Sequence, residues 1–82
     1  MKAHLTMVLA RREFPAARRL LENTIARAPQ AVWPRVILSH VLLEEGRDWA
    51  AAANVLHGVL ELDPQHWEAQ HNLAVLRSRQ AV

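Results

Sequence analysis

The residues best suited to chemistry in this 82-residue chain are its five histidines, His4, His40, His57, His66 and His71. Cysteine is absent, so a metal would have to be held by imidazole and carboxylate groups alone. His66 and His71 are five residues apart on one helical stretch, a poor spacing for two ligands on one helix face. His40 and His71 could approach one another from neighbouring helices. Even so, no i, i+4 set of His, Asp or Glu with a third ligand completes a closed site. Hydrogen-bonded or solvated histidines are therefore expected, with no metal, and His57 is placed on the outer edge of its helix. No Ser/His/Asp or Cys/His arrangement with a plausible context is present. Neither is a glycine-rich phosphate loop, the only glycines being Gly46 and Gly58. A chain of this length is also short for enclosing a substrate pocket of roughly 300 Å3 or more. The expectation is a non-enzyme with no catalytic residue and no cofactor.

A second chemistry is suggested by Arg11, Arg12, Arg18, Arg19 and Arg27, a basic cluster of the kind that binds nucleic acid or an anionic surface. Glu13 and Glu22 interrupt it, and Phe14 is its only aromatic residue. An i, i+4 pair between Arg18 and Glu22 is expected on one helix face. A solvated convex face explains the cluster more simply, so nucleic acid is not expected as the partner. The cluster is part of a wider asymmetry: residues 1–35 carry a net charge of +5 and residues 36–82 a net charge of −3, for +2 overall.

These residues must be positioned by helices. Pro29 and Pro64 each end a helical pattern, and each is followed by glutamine. Gly46 suits a helix C-terminus and Asp48 the next N-cap, while Phe14-Pro15 suits a first turn after a weaker break at Arg12-Glu13. Between the breaks, Val36, Ile37, Leu38, Val41, Leu42 and Leu43 follow helical spacing. So do Ala53, Val55, Leu56, Val59 and Leu60, and then Trp67, Leu73, Ala74 and Leu76. The pattern predicts an all-α chain of five helices over about 2–11, 14–27, 32–45, 49–62 and 66–80, forming one domain over 1–82.

The segments also repeat. A shift of 35 residues places Phe14-Pro15-Ala16-Ala17 on Trp49-Ala50-Ala51-Ala52, Leu20-Leu21 on Val55-Leu56, and Pro29-Gln30 on Pro64-Gln65. Leu38 then falls on Leu73 and Val41 on Leu76, while upstream of Gly46 a shift of 34 places Val8-Leu9 on Leu42-Leu43. A helix pair with a period near 34 and a closing proline resembles the tetratricopeptide repeat (TPR) family. The tail Leu60-Glu61-Leu62-Asp63-Pro64 is very close to that family's usual ending, and Asn72-Leu73-Ala74 is similar to a common start of the next repeat. Arg35, Ser39 and Leu42 stand where the family has tryptophan, glycine and tyrosine.

The resemblance implies a TPR-like α-solenoid of antiparallel helix pairs with about two and a half repeats. These would be a shortened repeat at 1–30, a full repeat at 31–65 and a capping helix at 66–82. It also implies that the first helix of each pair lines a concave groove for a partner protein or peptide. The groove positions are Trp33, Val36, Ile37, His40, Leu43 and Glu44 from one repeat and Glu68, His71, Asn72, Val75 and Arg79 from the next. Some family members grip a C-terminal carboxylate with a set of basic and amide side chains. Only Asn72 and Arg79 fall near such positions, so carboxylate capture is not expected.

Independently of the resemblance, helix 32–45 is apolar on more than one face, and the surplus must bury against a neighbour or a partner. The first function expected is a non-catalytic protein-interaction module. The alternative is a structural or oligomerisation segment of a larger assembly or enzyme, self-associating through the groove or through the N-terminal end, where Met1, Leu5, Met7, Val8 and Leu9 lie. A basic-surface nucleic-acid binder comes third. No apolar run approaches the roughly 18 residues of a membrane span, and Leu5 to Ala10 is short for a signal-peptide core. No membrane association is expected, and a cytoplasmic location is the default.

Overall fold

A computed structural model describes residues 13–80, which form four α-helices and no strand. They are α1 (Phe14–Arg27), α2 (Trp33–Glu45), α3 (Trp49–Leu62) and α4 (Trp67–Gln80). Each begins or ends within a residue of its expected position. The expected helix over 2–11 lies outside the described residues.

The ends follow from local chemistry. Pro15 and Pro34 sit in first turns, where a missing N–H leaves no hydrogen bond broken. Helix α2 stops at Gly46, whose φ of 69° is the left-handed conformation that glycine adopts without Cβ strain. Its N–H donates to the Leu42 carbonyl. Asp48 then caps α3 by accepting the Ala51 N–H at 3.0 Å. Helix α4 is capped by an imidazole, the Ala69 N–H donating to Nδ1 of His66 at 3.1 Å.

Packing runs in chain order, α1 on α2, α2 on α3 and α3 on α4. Arg18 near the start of α1 bonds Glu45 at the end of α2, so these two helices run in opposite senses. The surplus apolar surface of α2 is partly explained by its position, since it has a neighbour on each side.

The repeat seen in the sequence is also a repeat in burial. Ala17, Leu21 and Thr24 of α1 are buried, and so are Ala52, Leu56 and Val59 of α3, 35 residues on. Pro34, Leu38 and Val41 of α2 are buried, as are Ala69, Leu73 and Leu76 of α4 at the same shift. Two positions break the match. Ser39 and Leu42 are buried, whereas their counterparts Ala74 and Arg77 are exposed. The reason is geometric: α2 is covered by α3, and α4 has no following helix among the described residues.

One hydrogen bond repeats as well. The Arg35 guanidinium donates through Nη2 to the Pro29 carbonyl at 3.2 Å, and the Gln70 amide donates through Nε2 to the Pro64 carbonyl at 2.6 Å. Both residues occupy the same point of the repeat and tie their helix to the proline turn before it.

Candidate functional site

Helices α2 and α4 begin 34 residues apart, each on a tryptophan. Midway along α2, Nε2 of His40 is hydrogen-bonded at 2.7 Å to Oε1 of Glu68 at the start of α4, across the gap between the two helices. Closer to the end of α2, Leu43 shares a cleft with Asn72, Val75 and Arg79, farther along α4. Later residues of α2 meet later residues of α4, so the two helices lie side by side in the same sense.

Three clefts open along this face. The first is formed by Val36 and His40 of α2, by Asp63, Gln65 and His66 of the turn, and by Trp67 and Glu68 of α4. Ile37, His40, Val41 and Glu44 form the second with Phe14 of α1. In the third, Leu43, Asn72, Val75, Leu76 and Arg79 surround Trp49, and the Arg79 guanidinium carbon stands 5.7 Å from the indole centroid. That distance is within reach of a cation–π contact.

Nine of the eleven expected groove residues are thereby brought onto these clefts: Val36, Ile37, His40, Leu43, Glu44, Glu68, Asn72, Val75 and Arg79. Trp33 and His71 are exposed and do not join them there. The residue that α4 sets against His40 is Glu68, not His71. The family resemblance implied groove positions for both His71 and Glu68. Which of them lies level with His40 depends on the offset between the two helices, and tertiary packing sets that offset.

The clefts also hold residues outside the expected groove set. Trp49, at the start of α3, lines the third cleft, and its ring lies 3.8 Å from where a Cβ on Gly46 would be, an ordinary contact distance. Trp67 is 73% exposed, although tryptophan is rarely so accessible in a folded chain. Its place at the first position of α4, the same as that of Trp33 on α2, is the signal that could have found it.

Arg18 does not pair with Glu22 one turn on, as helix spacing suggested. It reaches across to Glu45, whose side chain is only 9% exposed. A carboxylate withdrawn from water attracts a guanidinium more strongly than a solvated one does.

His57 is exposed, as expected of an outer-edge residue. Among the described residues no group of three His, Asp or Glu side chains is arranged to hold a metal ion, and no helix is long and apolar enough to cross a membrane. The chain matches no family model, no curated protein and no solved structure. Its functional reading therefore rests on its own geometry.

Proposed function

We propose that this chain is a TPR-like α-solenoid whose α2–α4 face binds a partner peptide or protein without catalysing a reaction. One observation carries the reading: two helices a repeat apart lie parallel and side by side, and the clefts between them are lined from both. A segment laid along such a face touches successive repeats and can seat apolar side chains in successive clefts.

Among the described residues the exposed large apolar side chains are Trp33, Trp67 and Val75, on α2 and α4, and the latter two line clefts of this face. The stacking face of α4 is different. There Ala74 and Arg77 occupy the positions of buried Ser39 and Leu42, and an arginine solvates that surface. Apolar exposure is thus concentrated where a ligand would lie rather than where another repeat would stack. The N-terminal docking surface considered as an alternative lies outside the described residues.

The second reading, an oligomerisation segment whose groove is filled by its own kind, is favoured by the same exposed tryptophan. The two readings separate by solution mass and by selection. A monomer by light scattering across a concentration series, together with enrichment of peptides from a random dodecapeptide library, is the expected result. Val75→Asp should abolish that enrichment, because it puts a charge into the third cleft. A stable dimer would put oligomerisation first. A monomer that enriches no peptide would refute the proposal.

A further inference from the structure

The first cleft has a chemistry of its own. Its ionisable groups are the carboxylates of Asp63 and Glu68 and the imidazoles of His40 and His66, and no lysine or arginine lines it among the described residues. Oε1 of Glu68 is held by His40 at 2.7 Å, which fixes the carboxylate and leaves its second oxygen available. Oδ1 of Asp63 accepts the Gln65 N–H at 3.2 Å, which fixes that carboxylate in the same way. The indole of Trp67, 73% exposed, lines the same cleft, as does the apolar side chain of Val36.

We infer that this cleft is a subsite for a lysine or arginine side chain of the bound segment. The inference rests on the peptide-binding reading above and narrows its ligand. A basic side chain is the group that suits all three features at once. Its alkyl stem packs against Val36, its cationic head lies over the negative face of the indole, and two preoriented carboxylates neutralise it. An acidic side chain would meet two like charges, and an aliphatic one would leave both carboxylates facing an uncharged group. At the other end of the groove the chain's own Arg79 lies over Trp49, so that end does not favour a second cation. The groove is therefore polar along its length, and the basic residue of the ligand is placed at the α4 N-terminal end.

The test is the sequence content of selected peptides. Random dodecapeptides are selected in parallel on the wild-type chain and on Trp67→Ala, Glu68→Gln and Asp63→Asn. Circular dichroism confirms that each variant is helical, and Trp67 is exposed enough for its removal to leave the fold intact. Wild type should enrich peptides with a lysine or arginine at one fixed offset from their apolar anchors. Each variant should keep the apolar anchors and lose the basic preference. A wild-type peptide should bind Trp67→Ala and Glu68→Gln roughly three- to fivefold more weakly, and rising salt should reduce the difference for Glu68→Gln.

Groove-binding peptides without a fixed basic residue would overturn this inference and leave the peptide-binding reading standing. A basic preference that survives all three substitutions would also overturn it, since the charge would then be read elsewhere. Absence of any selected peptide removes both. A dimer that dissociates on Trp67→Ala would place a second copy on this surface and overturn the peptide ligand.

Discussion

The two glycines do opposite things. Gly46 terminates α2 in a left-handed conformation that an L side chain adopts only with strain. Gly58 lies inside α3, where a Cβ would come within 3.2 Å of Nη1 of Arg35. That contact is with the far end of a flexible side chain, which can shift by a few tenths of an ångström. Gly46→Ala should therefore destabilise the chain by about 1 kcal/mol. Gly58→Ala should stabilise it by about 0.5 kcal/mol, because alanine restricts the unfolded chain and favours helix, less the cost of moving Arg35. Urea unfolding of the two variants checks both signs. Arg35 shows why sequence reasoning stops short at this scale. The family resemblance marked it as a departure from the usual tryptophan, but not that its guanidinium would donate through Nη2 to the Pro29 carbonyl while Nη1 lies over Gly58. Both partners come from other elements. Ser39 was legible in the same partial way. Its small size suits a buried point of α2, and its hydroxyl is satisfied by donating to the Val36 carbonyl at 2.6 Å.

Between elements, the Arg18–Glu45 pair joins α1 to α2 beside Leu38 and Leu42. Arg18→Ala would leave a largely buried carboxylate without its cation, at a cost of about 2 kcal/mol. Replacing both members with methionine should recover most of that loss, since apolar groups of similar volume need no partner there. Thermal unfolding of the single and double variants measures the difference. A double variant no more stable than Arg18→Ala would mean that the pair holds α1 and α2 together by more than mutual neutralisation. The existence and order of the four described helices were readable from proline, glycine and apolar period, because these act within one or two turns. The caps were readable where the capping residue is a usual one, as at Asp48. The imidazole cap of His66 was not: a hydrogen-bonded ring is expected from the sequence, but histidine is seldom the capping residue, so its partner is not.

For the whole molecule, the order of contacts predicts an order of stability. Helix α3 packs between α2 and α4, while α4 has its main contact with α3 alone. In such a chain of nearest neighbours the terminal element opens first. Native-state hydrogen exchange should show amides of α4 exchanging faster than those of α3, even at Leu76, which is as buried as Leu56. Equal protection across both helices would show instead that the molecule opens only as a unit.

The sequence by itself determined the helical class, the breaks, and an apolar pattern that returns after 35 residues, matched in burial at every core position except Ser39 and Leu42. These follow from chain-local stereochemistry and from the period of apolar side chains, which a linear sequence records directly. Only the tertiary structure decided which residues of neighbouring helices face one another. Glu68 rather than His71 meets His40, Trp49 joins Leu43 and Val75 in one cleft, and the exposed Trp67 shares another with Asp63 and Glu68. Those outcomes depend on the offset and separation of α2, α3 and α4. These distances come from how whole helix faces interdigitate, and no spacing along one helix contains them.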